Sequence, residues 1–162
     1  SMGGLDAVSA IIDKDEPLLN VNDLVTVATP HQGRKLADIL PKLKKYESHH
    51  ITHCNNLDLD HEPIKLINSL EARQSLLSRL NKLYCLYGTQ DKAVMRSYKL
   101  KKEGLDIDYY RSKIEIMEII GATHSQELGI TQDPRTILKI ISILGDLKIE
   151  RPKYNYGYVF KR

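Results

Sequence analysis

Three short apolar runs, each ending in a polar or glycine-containing loop, constrain the fold of this chain more than any other feature. They are LVTVATP (24–30), KLYCLYGTQD (82–91) and KIEIMEIIGATH (113–124). Short runs rich in β-branched and aromatic residues are typical of strands buried on both faces, as in parallel sheets. The third run alternates apolar and charged residues, so we expect one of its faces to be partly exposed.

Segments with apolar residues at helical spacing lie between and around these runs. The predicted helices cover 3–12, the first turns after 34, 63–80 and 133–144, while 46–62 is predicted as a loop. Asp133 is a plausible N-cap, and Pro134 suits the first helical position. This alternation predicts a single α/β domain with parallel strands flanked by helices.

Composition narrows the classes of function. The 162 residues carry a net charge of +3, and their lysines are spread along the chain. The densest basic run, KLKKY (42–46), is typical of a solvated helix face, so no nucleic-acid partner is predicted. No apolar stretch reaches the ~18–20 residues of a membrane span. Cys54 and Cys85 are best interpreted as free thiols in a reducing compartment, which predicts a cytoplasmic protein, although any N-terminal signal would lie upstream of residue 1.

Three polar side chains follow predicted strands or begin a turn. Ser1 starts the glycine-rich turn SMGG, Asp91 closes YGTQD, and His124 closes GATH. Functional side chains of an open parallel sheet collect beyond the carboxyl ends of its strands, so we expect these three at one edge. A serine hydroxyl needs an imidazole to take its proton and a carboxylate to orient that imidazole. The pattern therefore predicts Ser1 as nucleophile, His124 as base and Asp91 as the orienting acid.

The residues after Ser1 fit a sharp turn into a helix. We expect Gly3 and Gly4 to be glycines for a steric reason, because the helix start must pack closely against a neighbouring strand. The backbone N–H of Met2 would face the carbonyl oxygen of a substrate as that oxygen gains negative charge.

Two motifs carry a resemblance to a known family. SMGGLDA resembles the nucleophile turn of the lipase branch of the α/β-hydrolases, and LVTVATPHQGRKLAD resembles the signature that follows that branch's next strand. YGTQD and GATH follow strands where the family places its acid and its histidine, and the order Ser, Asp, His is also the family's. The positions that match the second signature are Thr29, Pro30, His31, Gly33, Leu36, Ala37 and Asp38.

The resemblance implies a serine carboxylic-ester hydrolase that works through an acyl-enzyme on small or lipid esters, with no metal or organic cofactor. It implies that residues 41–81 hold a helical insertion or lid. The family's first five strands and the residues before the serine would lie upstream of residue 1, so we expect the C-terminal part of such an enzyme. This part would hold half an oxyanion hole and have no activity alone. The strand at 24–30 would then expose an apolar edge to the missing N-terminal half or to a partner chain.

Each site residue has a plainer interpretation. Ser1 and Met2 are also what a cloning remnant would leave, Asp91 also fits an ordinary turn acid, and His124 also fits a surface loop. Asp106 and Asp108 compete with Asp91 but lie in a polar stretch between strands.

His31 is assigned a structural role, closing the turn after the first strand together with Thr29, Pro30 and Gly33. A histidine-rich stretch invites a metal-site interpretation, but its spacing is diffuse and a solvated loop is favoured. Its potential ligands are His49, His50, His53, Cys54, Asp58, Asp60 and His61. The aromatic tail suits peripheral membrane or partner contact, but packing onto the domain as a final extended segment, or disorder, is favoured. The rival function is a non-catalytic, hydrolase-derived interaction domain that binds a partner through its exposed sheet edge.

Overall fold

The structure is a computed structural model, which describes residues 2–15, 21–33, 62–91, 94, 111–124, 129–145, 148–150 and 159–161. Within these residues the elements follow the order α1 (Gly3–Ile12), β1 (Asp23–Val27), α2 (Glu62–Ile67), α3 (Leu70–Arg79), β2 (Lys82–Gly88), β3 (Ile114–Ile119), α4 (Pro134–Leu144), β4 (Lys148–Glu150) and β5 (Val159–Lys161). The helix predicted after residue 34 lies outside the described residues, and so does the loop predicted over 46–62 except for its last residue, Glu62, where α2 begins instead.

The three predicted strands form one parallel sheet in the order β1-β2-β3. Val25 of β1 is level with Tyr84 of β2, and Tyr84 is level with Glu115 of β3. Helices flank this sheet on both faces, as the double-sided burial of the strands requires. The predicted arrangement of parallel strands flanked by helices is confirmed.

The strands end earlier than their apolar runs predict. β1 stops at Val27 instead of residue 30 because Ala28 adopts a left-handed conformation with φ 48°, which turns the chain out of the sheet. β3 stops at Ile119, and Gly121 bends the chain with φ 79°. In both cases a change of backbone conformation, not the end of apolar character, terminates the strand.

Two apolar layers enclose the sheet. On one face α1 and α3 pack against side chains of β2, and on the other face α4 covers the alternate side chains. The first layer is built from Val8, Ile11, Leu76, Leu77, Leu80, Leu83, Cys85, Tyr87 and Val94. The second contains Ala28, Leu86, Ile119, Ala122 and Ile130, with Ile140 and Ile143 of α4 packed against it. The alternation along β2 places Leu83, Cys85 and Tyr87 in one layer and Leu86 in the other.

The single helix predicted over 63–80 is two helices. The chain breaks at Asn68 and Ser69, and the Ser69 hydroxyl accepts a hydrogen bond from the Ala72 N–H at 3.1 Å, so it caps α3. α3 packs Leu76 and Leu77 into the core. The described part of the predicted insertion therefore belongs to the helical layer that packs on one face of the sheet. Residues 41–61 lie outside the described residues.

Lys113 joins the end of α3 to the start of β3. Its ammonium donates to the carbonyl oxygens of Leu77 at 2.7 Å and Leu80 at 2.8 Å. These carbonyls belong to the end of a helix, where no further amide of the helix reaches them.

The aromatic and basic tail has no clear period in the sequence, yet two of its short segments are strands. β4 and β5 pair in an antiparallel manner, with Lys148 level with Lys161. Strands of three residues are too short for a period-two pattern to be recognised in the sequence. Among the helices that the structure describes, none combines the length and apolar character needed to cross a bilayer.

Candidate active site

Asp91 and His124, predicted from separate strand exits, are in direct contact. Asp91 ends the loop after β2, His124 lies in the loop after β3, and their Oδ2 and Nδ1 atoms are 2.9 Å apart. The Asp91 side chain is fully buried, whereas 27 % of the His124 side chain is exposed. A carboxylate at Nδ1 fixes the proton on that nitrogen and leaves Nε2 as the basic one. Within the described part of the chain Nε2 has no hydrogen-bond partner.

The Asp91 carboxylate is held at both oxygens. Oδ1 accepts a hydrogen bond from the Val94 N–H at 2.8 Å, while Oδ2 faces His124. A buried carboxylate without partners would be strongly disfavoured. The two bonds therefore fix the orientation of the acid and, through it, that of the imidazole.

A glycine allows the two loops to approach each other. A β-carbon on Gly88 would lie 2.3 Å from the carbonyl oxygen of Ala122, well inside contact distance. Only a glycine fits where β2 ends, since the obstacle is backbone and cannot rotate away. This close approach brings the exits of β2 and β3 together.

The start of α1 packs against the exit of β1. A β-carbon on Gly4 would lie 2.1 Å from Thr29 Oγ1, so Gly4 meets the predicted steric requirement. The expectation for Gly3 is wrong, because a β-carbon there would meet nothing within 4 Å. The Tyr87 hydroxyl donates to the Thr29 carbonyl at 3.3 Å, which ties this contact to β2. The beginning of α1 therefore lies at the sheet edge that also holds the aspartate and the histidine.

Met2 stands immediately before α1, with φ −64° and ψ −35°. Its carbonyl accepts hydrogen bonds from the N–H groups of Leu5 at 2.7 Å and Asp6 at 3.2 Å. The first N–H groups of a helix have no partner inside the helix. The predicted oxyanion donor is therefore at a helix start, and Ser1, the predicted nucleophile, lies outside the described residues.

His31 is buried after β1, with only 3 % of the residue exposed. Its Nε2 lies 2.9 Å from Thr26 Oγ1, whose hydroxyl is within donating distance of the Tyr84 carbonyl at 3.2 Å. The hydroxyl proton is thereby used on Tyr84, so Nε2–H of His31 donates to Thr26. Burial, reinforced by the charge of Arg73, lowers the pKa of His31 to about 4. His31 is thus a neutral core residue at pH 7.

Cys85 lies beside His31, a neighbour that sequence reasoning missed. The thiol is fully buried, and its Sγ is 3.8 Å from His31 Nε2. Burial raises the pKa of Cys85 to about 11, so the sulfur is a thiol rather than the thiolate that reacts. This Cys–His pair is therefore packing and not a nucleophile with its base.

The turn after β1 is closed by two local features. The Gly33 N–H donates to the Pro30 carbonyl at 2.8 Å, and Gly33 has a φ of 71° that suits glycine. Asn68 donates from its side chain to the His31 carbonyl at 2.9 Å and links the turn to the junction of α2 and α3. The left-handed Ala28, which starts this turn, has no sequence signal, because alanine rarely adopts that conformation.

The described residues contain no group of three or more His, Cys, Asp or Glu side chains arranged to hold a metal. The histidine-rich stretch 49–61, Asp106 and Asp108 lie outside them. A groove of about 450 Å³ is lined by the end of β3 and by α4, and neither Asp91 nor His124 lines it.

Comparison of the chain with models of protein families, with curated proteins and with solved structures gives no match in any of the three.

Proposed function

We propose that the chain is the C-terminal part of a serine ester hydrolase of the lipase-like α/β-hydrolase kind. The observation that carries the proposal is the hydrogen bond from a partly exposed imidazole to a buried carboxylate across two adjacent strand exits. It is supported by the close packing of α1 against the exit of β1, which brings the helix start to the same edge.

In the proposed reaction Ser1 Oγ attacks the ester carbonyl while Nε2 of His124 takes its proton. The ester C–O bond then breaks, and the imidazolium gives that proton to the leaving alcohol, which leaves an acyl-serine. Nε2 next takes a proton from water, whose oxygen attacks the acyl carbon, and the proton returns to Ser1 as the acid departs. Asp91 stabilises the imidazolium at each stage, and the Met2 N–H stabilises the oxyanion.

The proposal includes the upstream polypeptide. β1 forms one edge of the described sheet, and its Val25 is only partly buried. We propose that strands of an upstream polypeptide pair with this edge and that their loops bring the second oxyanion donor. Lipid or small esters are the proposed substrates. The proposed compartment is the cytoplasm, where the buried free thiol of Cys85 stays reduced.

The test is covalent labelling with a fluorophosphonate and turnover of a short-chain nitrophenyl ester. Both are measured on the chain alone and on the chain with its upstream coding sequence restored. We expect labelling of the extended protein on Ser1, loss of labelling in His124→Ala, and a rate about 10⁴-fold lower in Asp91→Asn, which would hold the wrong tautomer. His53→Ala is the matched control, since the proposal gives that histidine no role, and it should label normally.

A second function is favoured by the exposed apolar surface. Ile137, Leu138 and Leu144 of α4 are each about half exposed, and β1 is an open edge within the described sheet. These features suit a non-catalytic domain that binds a partner along its edge. Absence of labelling in both the short and the extended protein would favour this function, and labelling on a different serine would overturn the first.

A further inference from the structure

The loops that follow β2 and β3 are joined by hydrogen bonds. The N–H groups of Thr89 and Gln90 donate to the carbonyl oxygens of Ile119 at 3.1 Å and Ala122 at 3.0 Å. A third bond runs in the opposite direction, from the Gly121 N–H to Thr89 Oγ1 at 2.8 Å. Two of these bonds are between backbone groups and persist whatever the side chains are. The third depends on one hydroxyl.

The Thr89 hydroxyl accepts a hydrogen bond from Gly121, where the chain turns after the end of β3. Gly121 has a φ of 79°, so the direction of the chain changes there, three residues before His124. Thr89 itself stands two residues before Asp91. Its side chain is exposed, so core packing does not explain a residue of this shape at this position.

We propose that Thr89 is a positioning residue that keeps the imidazole of His124 against the carboxylate of Asp91. This proposal rests on the proposed function and deepens it. If the hydroxyl is removed, the Gly121 N–H turns to water, and the loop that carries His124 moves more freely relative to the loop that carries Asp91. Displacements of about 1 Å cost a catalytic site up to about a hundredfold in rate.

The test compares Thr89→Val, which keeps the shape and removes the hydroxyl, with Thr89→Ser, which keeps the hydroxyl. Thr131→Val is the matched control, because Thr131 is also an exposed threonine in a loop. The first readout is the NMR signal of the His124 Nδ1 proton in the ¹⁵N-labelled chain, identified by its absence in His124→Ala. We expect its exchange with water to be about fivefold faster in Thr89→Val, the equivalent of one hydrogen bond of about 1 kcal/mol. Thr89→Ser and Thr131→Val should exchange at the wild-type rate.

The second readout is fluorophosphonate labelling of the extended protein, which should be about tenfold slower in Thr89→Val and restored in Thr89→Ser. Thermal unfolding of each variant separates positioning from general stability. The positioning role is overturned if the Nδ1 proton exchanges equally in Thr89→Val and wild type, or if Thr89→Ser behaves like Thr89→Val. If exchange of the Nδ1 proton is faster in Thr89→Val but the extended protein never reacts with the fluorophosphonate, the positioning role stands and the proposed function is refuted.

Discussion

The stability of this domain should depend on pH through one buried histidine, His31. Its pKa is about 4 in the folded chain, against 6.5 for a free histidine side chain. Between pH 6.5 and pH 4 the histidine is protonated in the unfolded chain but still neutral in the folded one. The free energy of unfolding is therefore highest above pH 6.5 and falls as the pH drops towards 4. At 1.36 kcal/mol per pKa unit, the difference amounts to about 3 kcal/mol of the free energy of unfolding. Because only 3 % of His31 is exposed, solvent screens this effect little.

The matched variant is His31→Gln, whose side-chain amide can replace the Nε2–H donor to Thr26 without titrating. Urea unfolding between pH 7.5 and pH 4 gives the free energy of unfolding of both proteins. Carboxylates contribute to both curves alike, so the difference between the two curves isolates the histidine. We expect wild type to lose about 3 kcal/mol more than His31→Gln over this range.

An NMR titration of the His31 ring protons checks the same quantity directly. Their chemical shifts should stay constant from pH 7.5 down to about pH 5 and move only near pH 4. Parallel unfolding curves for the two proteins, or a ring that titrates near pH 6.5, would refute the burial argument. The burial argument is also contradicted if His31→Gln loses more free energy of unfolding between pH 7.5 and pH 4 than wild type does.

Two further predictions concern stability. Gly4→Ala should lower the free energy of unfolding by about 2 kcal/mol, because its β-carbon would overlap Thr29. Gly3→Ala, whose β-carbon would lie in open space, should be neutral or stabilising by about 0.5 kcal/mol. Equal effects of the two variants in thermal unfolding would contradict this prediction. Lys113→Met should lower the free energy of unfolding in urea by about 2 kcal/mol, because the carbonyl oxygens of Leu77 and Leu80 at the end of α3 would lose a charged hydrogen-bond donor. Lys139→Met, on the exposed side of α4, is its control and should change little.

The sheet and its parallel pairing could be predicted because apolar periodicity reports burial. Runs such as KLYCLYG are apolar on both alternating faces, and only a strand between two layers needs that. The same logic predicted that Asp91 and His124 would meet, since carboxyl ends of adjacent parallel strands share an edge. The contact between these two side chains follows from topology, and no local feature of either segment requires it.

What could not be predicted depends on backbone conformation and on neighbours distant in sequence. Alanine at position 28 favours a helix or strand, and nothing in the residue itself signals the left-handed conformation with φ 48° that it adopts in the fold. Gly88 ends β2 and Ala122 lies in the loop after β3, and only the fold brings them so close that a β-carbon on Gly88 would lie 2.3 Å from the Ala122 carbonyl oxygen. The Thr89 hydroxyl likewise finds its donor, Gly121, 32 positions away along the chain. Such contacts leave no periodic signal in the sequence.

The two histidines that follow strands show how environment separates residues that the sequence presents alike. A general base near neutral pH must be able to gain a proton during the reaction. His31 is 3 % exposed, donates to a threonine and has a pKa of about 4, so protonating it at pH 7 would put a charge into the core. His124 is instead partly exposed, and its Nδ1 contacts the buried carboxylate of Asp91 at 2.9 Å. The carboxylate of Asp91, placed by the neighbouring strand, therefore distinguishes the two environments, and it is the reason why the proposed function assigns the base to His124 and not to His31.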